Sequence, residues 1–383
     1  MSLVLGNLQL PVAVALAPMA SVTNAAYRQL CREQAESGTT TRPAGLFTCE
    51  MITATALAFK APKTLERMVA DPGDPIFSVQ LYATDPTMVA RAVAVACGER
   101  GVNHIDLNFG CPVPKVTRRG GGGVLPWKSN LFERIVDQAV KAAGPYGVPV
   151  TIKTRIGIDQ QHQTMLDAGR IAEQCGVAAV CLHARTVEQA YSGQADWAAI
   201  RALVDALTIP VIGNGDIWEA DDALRMMKQT GCAGVSVGRG ALGRQWLFRD
   251  LAARLTGQAM APYLPTLAEV AGMIHRHATL LINMFGDQAH AMADLRKHMS
   301  WYLKGFRVGG DLRGRLALIS SLVELDDLLA QLDGDESYPS AALAAPRGRQ
   351  GAARSHVKMP ERWLESRTYT GPALADDGDV SGG

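Results

Sequence analysis

Apolar, β-branched runs recur along the chain at 12–17, 46–51, 76–82, 104–108, 148–154, 179–183, 209–213 and 234–238, and each is followed by a stretch with helical spacing of apolar residues. Nearly continuous apolar runs are what strands buried on both faces require, and the helical stretches supply the crossovers that parallel strands need. Eight β/α units in roughly 250 residues predict an α/β fold of the (β/α)8 TIM-barrel class. An open doubly wound sheet has the same alternation and stands as the alternative. Each run leads into a polar or glycine-rich tip, among them Pro18-Met19-Ala20-Ser21, Asn108 to Pro112, Lys153-Thr154-Arg155, Asn214-Gly215-Asp216 and Gly238-Arg239-Gly240. In a parallel α/β fold such tips gather at the C-terminal edge of the sheet, where active sites form.

After about residue 245 the β pattern stops. Apolar positions Val270, Met273, Ile274, His277 and Leu281, then Leu316, Ile319, Leu322 and Val323, have helical spacing. Thr266 and Glu269 stand in capping-box spacing at the first of these helices, and Gly309-Gly310 interrupts a later one. From about residue 334 the chain is rich in Ala, Gly, Pro, Ser and Arg, a composition poor in core-forming residues. The expected organisation is therefore a barrel over 1–245, a small C-terminal α-helical domain over 246–335, and a basic, partly flexible tail over 336–383. The Met359 to Leu364 patch is expected to dock back onto the surface.

Composition narrows the picture without deciding it. A hydrophobic content of 48% supports a large core, and 38 basic against 37 acidic residues, a net charge of +1, leave any polyanion to be met by a local patch. Seven scattered cysteines with no Cys-x-x-Cys pair fit reduced thiols and offer no metal-ligand spacing. The N-terminus does not read as a secretory signal, and no apolar run reaches the ~18 residues of a membrane span. These features lead us to expect a cytoplasmic protein with no bound metal, no membrane association and no obligate protein partner.

Candidate chemistry concentrates in His104-Ile105-Asp106-Leu107-Asn108-Phe109-Gly110-Cys111-Pro112. Pro112 cannot continue a ladder, so Cys111 falls just past a strand end, in a polar turn. A buried free cysteine is commonly a small hydrophobe, but this setting favours a thiol that donates a proton or attacks. Arg118-Arg119 with Gly120 to Gly123 is expected to be a flexible basic loop, either carrying Cys111 over a substrate or merely mobile. Gly238-Arg239-Gly240-Ala241-Leu242-Gly243 matches Gly-x-Gly-x-x-Gly, yet it follows the last strand of its series, so a Rossmann site is rejected in favour of a phosphate cradle with Arg239 adding charge. Lys153 alone is compatible with a Schiff base, an anion contact or simple exposure at the rim, and His183 alone with a core histidine. Gln80, Asn108, Lys153, His183, Asn214 and Arg239 fall at one edge on different strands, and that co-location argues for a site. The helical region has Arg296, Lys297, Lys304, Arg307, Arg313 and Arg315 interleaved with Trp301, Tyr302 and Phe306. That pattern suits RNA or is a solvated face. The tail adds Arg347, Arg349, Arg354, Lys358, Arg362 and Arg367.

Taken together, several stretches resemble the tRNA-dihydrouridine synthases, and most closely the bacterial B-type subfamily, over about residues 10–335. The carriers are Ala17-Pro18-Met19-Ala20, Ser78-Val79-Gln80-Leu81, Asp106 to Pro112 with Lys115-Val116, and Thr151-Ile152-Lys153-Thr154-Arg155. They continue with His183-Ala184-Arg185-Thr186 followed by Gln189, Tyr191, Gly193, Ala195 and Trp197, then Gly213 to Ile217 and Gly238-Arg239-Gly240. The resemblance implies an FMN-dependent barrel that reduces uridine C5=C6 bonds in tRNA with NADPH or NADH. It implies that Pro18, Met19 and Ala20 line the flavin, that Gln80, Lys153 and His183 contact it, and that Asn214, Gly215, Asp216, Gly238 and Arg239 hold its ribityl phosphate. Asn108 and Arg185 would face the base, with Cys111 as proton donor. Arg296, Lys304, Arg307 and Arg315 would meet the tRNA. The chain departs from the family pattern at Thr39 to Ala44, in the four-glycine run and in the tail. Three rivals stay open: a flavin barrel acting on a free small molecule, as in dihydroorotate dehydrogenases; a flavin-free aldolase with Lys153 as nucleophile; and a non-catalytic RNA-binding module.

Overall fold

A computed structural model describes residues 1–71, 73–348, 350–372 and 374. The chain opens with an antiparallel hairpin that the strand pattern above left out, β1 (Leu3–Leu5) and β2 (Leu8–Leu10). Its signal was the Gly6-Asn7 pair between alternating leucines, with Gly6 at φ +59°, the left-handed conformation of a two-residue turn. Leu3, Leu5 and Leu10 pack on Ala15, Ala179 and Ile212, sealing the N-terminal end of the barrel.

The nine remaining strands are β3 (Val14–Leu16), β4 (Leu46–Phe47), β5 (Ile52–Thr53), β6 (Ser78–Tyr82), β7 (His104–Phe109), β8 (Val150–Arg155), β9 (Ala179–His183), β10 (Val211–Asn214) and β11 (Gly234–Val237). They form one parallel sheet in the order β4-β3-β11-β10-β9-β8-β7-β6-β5. Of its two outer members, β4 lies in the run read as 46–51 and β5 begins just past the end of that run. Thr48 bridges Ser78, and the Cys49 amide donates to the Ser78 carbonyl at 2.9 Å, so the segment between them closes the ring. The result is the eight-position barrel that the β/α alternation predicts.

Strand register decides which side chains meet inside. Gln80 pairs with Asp106, and Asp106 with Thr151, which sets these three at one level. Asn108 pairs with Lys153 one layer higher, and Asn214 pairs with both His183 and Ser236. Alternate residues face inward along a strand, so these pairings build polar layers beneath the mouth.

The eighth outer helix, Leu247–Leu255, buries Phe248, Leu251 and Leu255 in the barrel core, with the Phe248 ring 5.5 Å from Phe47. The barrel thus runs about ten residues past the expected boundary at 245. Beyond it lie helices Leu267–Phe285, Gln288–Tyr302, Gly310–Leu316 and Leu322–Leu329. The first has the expected capping box: the Thr266 amide donates to Glu269 at 2.7 Å, and the Glu269 amide donates to the Thr266 hydroxyl at 3.3 Å. Val270, Ile274, Leu281, Leu316, Ile319 and Leu325 form its core, together with Ala26, Leu30 and Trp246 of the barrel. Val323 keeps the helical spacing but is 70% exposed.

The tail docks on the barrel, the Met359 to Leu364 patch included. Its described residues cross the barrel as a strap, anchored by buried Tyr338, Arg347, Val357 and Trp363. Trp363 Nε1 donates to the Val124 carbonyl at 3.0 Å, and its ring packs with Val124, Ile158, Val187 and Val357. Asn130 and Tyr369 exchange two hydrogen bonds of 3.0 and 2.7 Å. A few large anchors on an otherwise small-residue segment suffice for docking, which composition averages away. Arg349, Ala373 and residues 375–383 of that tail lie outside the described residues.

The glycine-rich segment is likewise packed rather than free. A Cβ at Gly121 would stand 2.1 Å from the Tyr82 hydroxyl, and one at Gly123 would stand 2.4 Å from Val187. These glycines thread the chain through a crowded gap, and the last two of the four-glycine run open a 3-10 helix, Gly122–Trp127, that is buried from Gly122 to Pro126. Among the described residues no helix is long and apolar enough to cross a membrane. Trp363→Ala should loosen the strap by about 3 kcal/mol, the usual cost of truncating a buried aromatic. Faster tryptic cutting at Arg354 and Arg362, with the barrel intact, is the expected reading, and wild-type cutting rates would remove Trp363 as the anchor.

Candidate active site

Polar groups inside a closed barrel have no bulk water to turn to, so they must satisfy one another. At the base, His104 Nδ1 lies 2.7 Å from the Ser78 hydroxyl and Nε2 lies 3.2 Å from the Thr151 hydroxyl. Thr151 donates its proton to Asp106 Oδ1 at 2.7 Å, so His104 Nε2 carries the proton and Nδ1 accepts. Burial holds His104 neutral, with its pKa pushed down to about 4, and pushes Asp106 up to about 6. Gln80 Nε2 donates to Asp106 Oδ2 at 2.7 Å, and Asn108 Nδ2 donates to Gln80 Oε1 at 2.8 Å. Asn108 Oδ1 then accepts from the amides of Gly110 at 3.1 Å and Cys111 at 2.9 Å. A continuous hydrogen-bonded column therefore runs from the sealed base of the barrel to the backbone of the cysteine.

Around this column the mouth is cationic. Lys153 Nζ donates to Asn214 Oδ1 at 2.9 Å, and Asn214 Nδ2 donates to the Ser236 carbonyl at 2.7 Å. Burial lowers the Lys153 pKa, and burial beside Arg155, Lys153, Arg185 and Arg239 drives His183 well below the usual imidazole range, so His183 is neutral. Arg155 Nε donates to the Gly110 carbonyl at 2.7 Å. Asp216 adopts φ +54°, a costly backbone for a residue with a side chain. It is held there by both oxygens against Arg185 at 2.8 Å and by the Ala195 amide at 2.7 Å. Arg239 is 3.6 Å from Asp216 and lies between the rings of Tyr191 and Trp218, at 5.1 and 5.2 Å. Gly240 packs under the Asp216 tip, where a Cβ would come within 2.2 Å of the Ile217 carbonyl.

The cavity at this mouth has a volume of ≈ 440 Å³, within the range of cofactor and ligand pockets. Pro18, Met19, Ala20, Gln80, Asn108 and Cys111 are among the residues that line it. Lys153, His183, Asn214, Gly215, Asp216, Gly238 and Arg239 line it too. Cys111 is half-buried at the rim, against Met51, Tyr82 and Val116, and burial raises its pKa, so the thiol stays protonated at neutral pH.

Other expected residues lie elsewhere. Arg185 is 1% exposed and does not line the cavity; its Nε and one Nη donate to Asp216 and to the carbonyls of Ser192 and Gly193, while Nη1 is buried with no hydrogen-bond partner among the described residues. In the helical domain Arg296 donates to the Ile319 carbonyl and Lys304 to that of Pro346, whereas Arg307 is 93% exposed and Arg315 about half exposed. Tyr302 and Phe306 are buried in that domain's core and are not available for base stacking. Arg347 is buried against Tyr338 and the Trp301 carbonyl, a structural role rather than a surface charge. Trp218 and Trp301 line the cavity without having been singled out for it. Trp218 follows the Gly215-Asp216 tip by two residues, a local signal. Trp301 arrives from the helical domain and had none.

Fold and site define an α/β-barrel enzyme with a cationic, thiol-bearing mouth and an appended helical domain. The family described as dihydrouridine synthase (Dus) matches residues 15–337, and the chain belongs to it. A probable tRNA-dihydrouridine synthase of Mycobacterium tuberculosis (strain ATCC 25618 / H37Rv) is 52% identical over 363 residues, covering 94% of this chain and 92% of that protein. The tRNA-dihydrouridine synthase B of Vibrio vulnificus (strain CMCP6) is 33% identical over 334 residues, covering 87% and 98%. Among solved structures, histamine dehydrogenase from Rhizobium sp. 4-9 superposes with a TM-score of 0.50 at 12% identity, over 88% of this chain and 65% of that one, a likeness of fold.

The interior column has a measurable titration. His104 sits at about 4 in the fold against ~6.5 unfolded, so the stability it contributes is complete above ~6.5 and is lost as pH falls towards 4. Asp106, raised to about 6, has the opposite sign: its contribution is present below ~3.9 and is lost as pH rises through 6. Urea unfolding at pH 7 and pH 5 should therefore show a smaller acid loss for His104→Asn than for the unchanged protein. An equal loss in both would place the acid sensitivity outside the column.

Proposed function

We propose that this protein reduces the C5=C6 bond of specific uridines in tRNA to 5,6-dihydrouridine, with FMN in the barrel mouth, NADPH or NADH as reductant and Cys111 as proton donor. The observation that carries this reading is one cavity combining a protonated thiol, a lysine and a glycine-arginine cradle in a member of the dihydrouridine synthase family. Family membership favours tRNA over a free small molecule, and the same reading puts the reaction in the cytoplasm.

The residues present fit a flavin mononucleotide. A Cβ at Gly215 would stand 2.7 Å from that of Ala195, so this tip brings bare backbone to the cavity, and Gly238 lines the cavity beside it. These glycines and Arg239 would hold the phosphate, as glycine-rich barrel tips after the seventh and eighth strands do. Lys153 spends one proton on Asn214 and has two more to offer an electron-rich ring, while Pro18, Met19 and Ala20 supply an apolar wall. When bound, the flavin supplies hydride to the pyrimidine.

The protein's own task is the proton. Conjugation of C5=C6 with a carbonyl makes hydride addition at C6 leave carbanion character at C5, which an acid must quench. Cys111 meets that need because burial keeps it protonated and Asn108 fixes its backbone. Asn108 has one Nδ2–H left beyond its bond to Gln80, which suits a single hydrogen bond to a pyrimidine carbonyl. The uridine must leave its stack to reach the mouth, at a cost of a few kcal/mol. Cationic contacts offset that cost, and Arg307 and Arg315 are exposed enough to serve, with Arg296 and Lys304 contributing beside their structural bonds.

Cys111→Ala should leave flavin reduction near normal and lower dihydrouridine formation in tRNA by at least about 100-fold, the scale of a lost general acid. Unchanged yield by mass spectrometry of digested tRNA would remove the thiol from the mechanism. Reversing charge at Arg307 and Arg315 together should weaken tRNA binding and reduce the slope of log affinity against log salt by about 2, without loss of flavin colour. An unaltered slope would exclude this pair as phosphate contacts.

A further inference from the structure

The tripeptide Gly110-Cys111-Pro112 lies between β7 and the short helix Pro114–Thr117, and its carbonyls need partners that no ladder provides. Two of them are met from the barrel: Gly110 by Arg155 Nε at 2.7 Å, and Cys111 by the Gly123 amide at 3.0 Å. The third comes from far along the chain, for the Pro112 carbonyl accepts a guanidinium N–H from Arg354. Pro112 has no amide hydrogen, so its carbonyl is its sole backbone hydrogen-bonding group.

Arg354 is itself held. Its backbone amide donates to the Glu188 carbonyl at 2.9 Å, in the segment after β9, and Val357 and Trp363 anchor the chain beyond it. The Trp363 ring occupies the space beside Gly120, where a Cβ would come within 2.5 Å. The strap therefore bears on the cysteine turn directly and on the glycine segment that grips the cysteine's own carbonyl. It also lies beyond residue 337, where the family match ends.

We infer that Arg354 is a positioning residue for uridine reduction: by gripping the Pro112 carbonyl it fixes the Cys111 thiol at the cavity rim, which makes the C-terminal strap part of the active site. This rests on Cys111 being the proton donor. A charged N–H to a carbonyl is a strong tether, and displacing a reacting group by about 1 Å costs on the order of 100-fold in rate.

The test uses the full-length flavoprotein and unmodified tRNA, comparing Arg354→Ala and Arg354→Lys with the unchanged chain. Arg354→Ala should lower the rate of dihydrouridine formation at saturating tRNA by about tenfold or more, with KM for tRNA little changed, and Arg354→Lys should recover most of that loss. Independently of turnover, iodoacetamide should label Cys111 several-fold faster in Arg354→Ala, read peptide by peptide, while the buried cysteines label as before. A wild-type rate and wild-type labelling in Arg354→Ala overturn the inference. So does a rise in KM alone, which would make the strap a tRNA contact, and so does a lysine variant no better than alanine. Failure of the thiol reading looks different: Cys111→Ala would then keep its turnover, while the labelling experiment still reports whether Arg354 holds the turn.

Discussion

Everything at the mouth of this barrel depends on the need of buried polar groups to satisfy one another. The column from Ser78 and His104 through Thr151, Asp106 and Gln80 to Asn108 occupies the space where other barrels place branched apolar side chains. Each link has one workable direction once Thr151 gives its proton to Asp106. The column thereby orients the Asn108 amide, and Asn108 in turn fixes the amides on either side of the Gly110–Cys111 bond. A removed link would leave a partner desolvated and unpaired, which costs more than the bond itself contributes.

The same constraint operates at the rim with charge added. Lys153, Arg155 and Arg239 line one opening with Arg185 buried beside it; Asp216, which Arg185 and the Ala195 amide hold in a left-handed backbone, offsets the charge of Arg185 and Arg239, and Asp106 acts on Lys153. The strain at Asp216 is thus tied to the geometry of the adjacent Gly215 and Gly238 tips. His183, set among these cations, remains neutral and can accept or donate a hydrogen bond without adding charge. The outcome is an opening with excess positive potential and a protonated thiol at its edge, a combination suited to an anionic cofactor and a base that needs a proton.

The strap extends this order to the outer surface. Glycines that looked like a flexible loop are instead the positions where Tyr82, Val187 and Trp363 approach too closely for any side chain. Among the described tail arginines, Arg347 is buried against Tyr338, whereas Arg362 and Arg367 stay at the surface beside Glu365 and Asp167. Gly-rich and Arg-rich composition carries the same average whether it is mobile or packed, so composition could not separate the two.

Periodicity alone determined the eight β/α units, the helical appendage and its capping box, because burial on a strand or a helix leaves a short-range imprint on the chain. The residue types at the strand tips likewise determined which side chains share the mouth, since a parallel barrel brings all those tips to one end. Tertiary structure decided the rest. The segment at 46–53 breaks so that Thr48 and Cys49 can close the ring on Ser78, a demand of closure rather than of local propensity. Arg185 is engaged by Asp216 from the next strand tip, and Tyr302 and Phe306 turn inward because a helical core needs filling. Arg354 reaches Pro112 across 242 positions of sequence. Contacts of that span leave no local periodicity, because they depend on where the whole chain has already been placed.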